Sequence, residues 1–395
     1  MIWRLAERAC RRGARRMLRA GRAALLHASH PRFRRTGEPR AGRPGLILAI
    51  RLDRLGDLVL TLPAIDDLAS AYPSSRLVAV VRSGLAPLLK GRPSLSTVME
   101  VPAGQDVVAL ASRLSIFGAG LAVVFSSVDD LLVPRATALA GIPERIGFAG
   151  AGREVFLTRA VRPPLDAVSF AEGHALLVAA AGGSPSNRRP SIIPPAEEAR
   201  EAEVMLRTMG APPGAPRIAV HPGGSFKTQR WPASRFAAAA RGIMSRRGGK
   251  AVVLAGPGEE DLAREIKREL HGDCLVLPPG DVGTLAAVLS RCDLLIANNS
   301  GPLHLAGALR VPTVSLMGPT DPVRFWPQGI HQVVLRKADL PCSPCSRGRC
   351  APHECLLSFG PEEVTERALD LLDPVEEAAS CVESGERRLL RSGCP

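Results

Sequence analysis

Three groups of residues in this chain have types and spacings that could do chemistry. The first is the turn Asn298-Asn299-Ser300-Gly301-Pro302, followed one helical turn later by His304. Apolar runs flank it at Leu294 to Ala297 and Val311 to Met317, so it reads as the turn of a βαβ unit. Small polar residues at the carboxyl end of such a strand precede a helix whose free N–H groups and positive dipole end favour an anion. His304 would contact that ligand, the alternative being an ordinary hydrogen-bonded core histidine. The second group is Arg51-Leu-Asp-Arg-Leu-Gly-Asp57, which follows the apolar run Gly45 to Ile50 and puts Asp53 and Asp57 where side chains leave a sheet edge. Aspartate at a helix start also commonly caps it. The third is Cys342-x2-Cys345-x4-Cys350-x4-Cys355, with His353 beside it. Four close thiols could hold a structural zinc ion tetrahedrally, or could remain reduced or pair as disulfides.

Two further segments belong with these, His221-Pro-Gly-Gly-Ser225 leading to Arg230-Trp-Pro232, and Gly256-Pro-Gly-Glu-Glu260. The elements that must position them alternate between buried strands and helices. Strands are expected at 45–50, 77–81, 98–101 and 121–125, with a helix from Asp57 to about Tyr72, stopped by Pro73, and helical stretches near 84–91, 105–115 and 129–140. Breaker-rich clusters at 182–196 and 210–216 then mark a junction. The alternation restarts with strands at 217–221, 251–255 and 274–277 and helices at 232–246, 259–270 and 281–290. This pattern predicts α/β architecture with parallel sheets, and two such units in series predict a ligand cleft between them.

At 395 residues and 46% apolar content the chain suits a globular protein of two domains. No apolar run approaches the roughly 20 residues of a membrane-spanning helix, and no cleavable signal is expected. The net charge of +13 is concentrated at the amino terminus. Residues 1–43 hold thirteen arginines against Glu7 and Glu38, a balance of +11 that leaves +2 for the remainder. With Leu5, Cys10, Ala14, Met17, Leu18 and Leu25 near helical spacing, this segment suits a helix on an anionic membrane surface. A disordered leader is the bland alternative. Nucleic acid is not the expected partner, because aromatic residues are only 4% and offer few stacking platforms.

Neither a Gly-x-Gly-x-x-Gly nor a Gly-x-x-x-x-Gly-Lys-[Ser/Thr] loop follows a strand, which argues against nicotinamide and P-loop chemistry. Instead, four ordered segments resemble glycosyltransferase family 9, the heptosyltransferases of the lipopolysaccharide inner core. They are Ile50 to Ala64, His221-Pro-Gly-Gly-Ser with Arg230-Trp-Pro, Asn299-Ser-Gly-Pro-Leu-His-Leu-Ala306 and Gly318-Pro-Thr-Asp321, followed by the cysteine-bearing end. The resemblance implies a GT-B fold of two Rossmann-like domains facing across a cleft, with the carboxyl-terminal helix folding back. It divides the chain into a basic segment 1–43, an acceptor-side domain 44–196, a nucleotide-sugar-binding domain 197–372 with its cysteine-rich segment 342–355, and a tail 373–395.

The chemistry implied is metal-independent, inverting transfer of a heptose or related sugar from a nucleotide-sugar donor such as ADP-heptose to a lipopolysaccharide-core or other lipid-linked acceptor. Asp57 matches the catalytic base, with Arg51 and Asp53 on the acceptor side and Asp53 as the runner-up base. Gly223, Gly224 and Ser225 would cradle the leaving diphosphate, with Lys227 or Arg230 as its counter-ion. Glu259, or its neighbour Glu260, would meet the ribose. Asn299, Ser300, Gly301 and His304 complete the donor side. Two departures stand out by resemblance: Gln229 where a lysine is usual, and Asn299 where an aspartate is common. Zinc at Cys342, Cys345, Cys350 and Cys355 would be structural only, and no cofactor is required. The expected location is cytoplasmic, peripheral on the inner face of the membrane. The alternatives are a non-catalytic sugar-nucleotide-binding homologue and a glycosyltransferase with a different donor and acceptor.

Overall fold

The computed structural model describes residues 43–163, 169–186, 188–278, 280–350 and 353–373. The first sheet is built from β1 (Leu46–Arg51), β2 (Arg76–Arg82), β3 (Thr97–Val101), β4 (Leu121–Val124), β5 (Glu144–Phe148) and β6 (Arg159–Val161), in spatial order 3-2-1-4-5-6. The pairings among the described residues are parallel, for example Ile47 opposite Leu77 on one side and Leu121 on the other. Helices α1 (Leu55–Ala71), α2 (Val107–Ser115), α3 (Leu132–Leu139) and α4 (Phe170–Ala180) cover its faces. All six residues of β1 are buried, as a central strand covered on both faces requires.

Helix α5 (Ala196–Thr208) leads into the second sheet, made of β7 (Arg217–His221), β8 (Lys250–Val253), β9 (Cys274–Val276), β10 (Leu294–Asn298), β11 (Thr313–Leu316) and β12 (Gln332–Leu335). Its spatial order, 12-11-10-7-8-9, repeats the order of the first sheet. Its helices are α6 (Ala233–Arg247), α7 (Glu260–Glu269), α8 (Val282–Leu289), α9 (Gly301–Ala308), α10 (Pro322–Phe325), α11 (Glu354–Leu357) and α12 (Pro361–Leu372). Both halves therefore have the doubly wound order in which ligands gather at the strands' carboxyl ends, beside the central switch point. Helix α12 folds back onto α6 of its own domain.

The halves meet at helix α1, which packs on α9. One apolar core runs through that contact, joining Leu58, Leu62 and Ile65 to Leu303, Leu305 and Ala306. Two glycines permit the approach: a Cβ on Gly56 would lie 2.8 Å from the His304 ring, and one on Gly301 would lie 3.1 Å from Leu55. A second junction sets Gly283, ahead of β10, 3.0 Å in the same sense from Pro87. The Lys90–Glu198 pair at 2.7 Å adds an exposed contact.

Several boundaries differ from the sequence reading. Helix α1 begins at Leu55, with Arg54 as its N-cap, so Asp57 is its third residue. The stretch near 84–91 is a single 3₁₀ turn, Ala86–Leu89, because Pro87 and Gly91 leave room for no more. Strands β5, β6 and β12 were not expected: β6 has three residues, and β5 and β12 mix charged or polar residues with apolar ones. The supposed membrane-surface helix lies outside the described residues, except for Arg43. Among the described residues no helix is long and apolar enough to cross a membrane.

Candidate active site

A cavity of about 960 Å³ opens between the carboxyl edges of the two sheets. From the first half its wall takes Asp53, Arg54, Leu55, Gly56 and Asp57, the turn after β1. From the second it takes the turns after β7, β8 and β10, which bring Gly224, Ser225, Glu259, Asn299 and Ser300 to the same space.

On the first edge the side chains are ionic. Arg51, only 2% exposed, holds two carboxylates at once: its Nε lies 3.2 Å from Asp53 Oδ2 and its Nη2 lies 3.1 Å from Asp57 Oδ1. A hydrogen bond from Nη1 to the Phe125 carbonyl anchors the guanidinium at the end of the neighbouring strand β4. The Arg54 N–H donates to Asp57 Oδ2 at 3.2 Å, so Asp57 both serves the helix start and faces the cavity. Burial raises the Asp53 carboxyl above its ordinary value, with help from Asp57 and Asp130 and against the pull of Arg51. Behind this group, Arg153 is fully buried and donates to Ser126 and Ser127, and burial lowers its guanidinium to about 10. The Phe170 ring stands 5.7 Å from the Arg51 guanidinium and 5.0 Å from Phe325 across the cleft.

The second edge uses glycine and backbone. Glu259 accepts from the Gly224 N–H at 3.0 Å and the Gly256 N–H at 2.9 Å, and lies 3.2 Å from His221 Nε2. His221 Nδ1 in turn lies 3.1 Å from Ser300 Oγ. One imidazole thus ties the turn after β8 to the turn after β10. Burial by itself would raise the Glu259 carboxyl, but the His221 bond and the two N–H donors outweigh it and hold the group down to about 2. Asn298, fully buried, accepts from the Trp231 N–H at 2.9 Å and donates to the Pro222 and Gly223 carbonyls, which fixes the loop after β7. Trp231 packs edge-on against Phe236 beneath that loop.

Of the residues singled out in the sequence, Asp53, Asp57, Gly224, Ser225, Arg230, Glu259, Asn299, Ser300, Gly301 and His304 all line the cavity. Arg51, Gly223 and Lys227 do not. Arg51 lies behind the wall and supports it. Gly223 serves Glu259, since a Cβ there would stand 2.1 Å from the carboxylate. Lys227 is exposed, in the 3₁₀ turn Lys227–Gln229, and the cavity takes Gln229 and Arg230 instead. His304 is packed at the domain contact, where burial lowers its imidazole to about 4 against an upward pull from Asp57. Gln229 donates to Thr320 Oγ1 and Asn299 to the Phe325 carbonyl, so the two uncharged substitutes bind neutral neighbours. His221, Asn298 and Arg54 are the additions. Each stands inside a segment the sequence marks, but their partners come from other segments.

The four clustered cysteines share one neighbourhood. Burial, then the charges of Cys345, Cys342 and Cys350, pushes the Cys355 thiol up to about 11. Among the described residues no three His, Cys, Asp or Glu side chains are gathered closely enough to hold a metal ion.

Residues 131–355, more than half of the chain, match the model of glycosyltransferase family 9 (heptosyltransferase). The chain belongs to glycosyltransferase family 9. Lipooligosaccharide heptosyltransferase 2 of Campylobacter jejuni is 33% identical over 162 residues, 39% of this chain and 50% of that protein. The chain thus matches about half the length of that relative. Lipopolysaccharide heptosyltransferase 1 of Pseudomonas aeruginosa is 27% identical over 338 residues, covering 82% of this chain and 91% of the relative. The solved structure of Escherichia coli ADP-heptose lps heptosyltransferase II superposes with a TM-score of 0.69 at 21% identity, over 82% of this chain and 98% of that one. The family's two-domain GT-B fold is the one described above.

Proposed function

We propose that this family 9 member transfers a heptose or related sugar from ADP-heptose to a lipopolysaccharide-core or other lipid-linked acceptor, with inversion and without a catalytic metal. The observation that carries this reading is that one cavity holds a carboxylate, Asp57, on one sheet edge and the glycine-bordered Gly224–Ser225 turn on the other. Two of the relatives are named as heptosyltransferases of lipooligosaccharide and lipopolysaccharide, and the E. coli protein is named for ADP-heptose.

In a single displacement, the acceptor hydroxyl gives its proton to Asp57 and its oxygen bonds to the anomeric carbon. The bond from that carbon to the diphosphate oxygen breaks, and its electron pair leaves with the diphosphate. Attack and departure on opposite faces invert the configuration. Arg51 orients Asp57 through the 3.1 Å contact, while Arg230, bonded to the Gly224 carbonyl at 2.9 Å, brings positive charge to the leaving group's side. Glu259 meets the ribose. The arginine-rich residues 1–43 hold the protein at the inner face of the cytoplasmic membrane, where an anionic surface presents the acceptor.

The test is acceptor-dependent release of ADP from ADP-heptose, in the presence of a chelator, for wild type and Asp57→Asn. Release that falls by about a thousandfold in the variant supports the assignment. Binding of ADP-heptose without release, for this and other acceptors, would make the protein a sugar-nucleotide binder instead. Deleting residues 1–43 should move it from the membrane to the soluble fraction at low salt, and unchanged fractionation would refute the anchoring role.

A further inference from the structure

The cavity wall carries basic side chains from both halves, and they differ in how far they are committed. Arg230 is fixed on the Gly224 carbonyl and faces Glu259 at 4.0 Å. His221 is bonded to Glu259 and Ser300. His304 is buried and held neutral. Arg54 is different. It is exposed, it comes from the first half of the molecule, and it reaches across the cleft to Ser225 Oγ, 171 residues away. Among the described residues no carboxylate pairs with it.

A guanidinium resting on a lone hydroxyl keeps most of its donors and its full charge available. Its position is set from the opposite side: Arg54 is the N-cap of α1, three residues before Asp57, which accepts from its N–H. The cation and the proposed base thus share one turn, and that turn is braced on the second half through Gly56 and His304.

We propose that Arg54 is a further catalytic residue, which binds the leaving diphosphate at the Gly224–Ser225 turn from across the cleft. This rests on the donor reading given above. As the bond to the anomeric carbon breaks, its electron pair passes to the diphosphate oxygen and adds one negative charge, which Arg54 offsets while its proton stays in place. An anion held at Gly224–Ser225 would also replace the Ser225 hydroxyl as the partner of Arg54, so donor binding and the approach of the two sheet edges are coupled. No other cation in the wall bridges the two halves among the described residues.

The experiment compares wild type, Arg54→Gln and Arg54→Lys in full-length protein, reading binding of ADP and of AMP by calorimetry and transfer from ADP-heptose. Arg54→Gln should lower kcat about a hundredfold and weaken ADP binding about tenfold, with AMP binding unchanged. Arg54→Lys, which keeps the charge and loses the planar fork, should fall between Arg54→Gln and wild type and so separates loss of charge from loss of fold. Wild type that binds ADP, with Arg54→Gln matching it in kcat and ADP affinity, overturns this inference alone. Equal weakening of ADP and AMP in Arg54→Gln also overturns it, since that places the arginine away from the terminal phosphate. Wild type that binds neither ADP nor ADP-heptose overturns the donor reading and this inference together.

Discussion

The carboxyl edges of the two sheets share a strand order and differ in almost everything else. On the first edge a buried arginine, Arg51, is clasped by Asp53 and Asp57, with Arg153 buried behind them. On the second, glycine N–H groups, one imidazole and a buried amide organise the wall. In the proposed reaction the first edge aims a carboxylate at a proton and holds it with a neighbouring cation, while the second admits a bulky anion, which takes space. A doubly wound sheet fixes where a ligand sits and leaves the chemistry to the turns.

The two edges should therefore break differently. Arg51→Met strips the counter-charge from two carboxylates around a buried site, so the first edge should lose about 3 kcal/mol of stability along with its activity. Urea unfolding measures this, and a loss below about 1 kcal/mol would mean that the carboxylates do without the arginine. Gly56→Ala strikes the contact between the halves, where the new methyl would press on the His304 ring. Overpacking of that kind should cost about 2 kcal/mol in the same assay. Gly223→Ala tests the second edge alone. Its Cβ displaces the Glu259 carboxylate, so ADP affinity should fall about tenfold while the acceptor KM stays unchanged, as calorimetry and kinetics would show.

The smallest effect is a pH slope. Burial brings the imidazoles of His174 and His304 down to about 3 and 4. Below pH 6.5 the unfolded chain takes up protons that the native protein refuses, so stability falls as pH falls, down to the native values. Each histidine should contribute about 0.7 kcal/mol of loss between pH 7 and pH 6. His174→Leu should remove its share of that slope, and an unchanged slope would show that the ring takes up its proton alike in the folded and unfolded chain.

Much of the scaffold is legible in the chain because buried parallel strands are written as short apolar runs. Leu46–Ile50, Leu77–Val81 and Leu294–Ala297 could hardly be anything else. Strands β5, β6 and β12 escape that rule, since edge and near-edge positions tolerate Glu144, Arg145, Arg159 and Gln332. Within the site, Asp57, Ser225 and Ser300 are legible because each stands within a few residues of a strand's carboxyl end. The bond between His221 and Glu259 is not, as it depends on two turns 38 residues apart meeting in space. Gly223 shows a subtler limit. A glycine in such a turn can admit a ligand or another side chain, and only the position of Glu259 tells which. Lys227 and Arg230 are equally plausible as counter-ions until the 3₁₀ turn leaves one in solvent and the other on the wall.

The meeting of Gly56 and Gly301 lies beside the proposed base, at the floor of the cleft. A rotation pivoting on that point moves each part of the wall in proportion to its distance from the pivot. In such a rotation the mouth would travel further than Asp57 does against the facing helix, as the jaws of tweezers travel while the joint stays put. Admission of large substrates and alignment of the reacting atoms would then be separated along one lever, with tolerance at the rim and accuracy at the fulcrum.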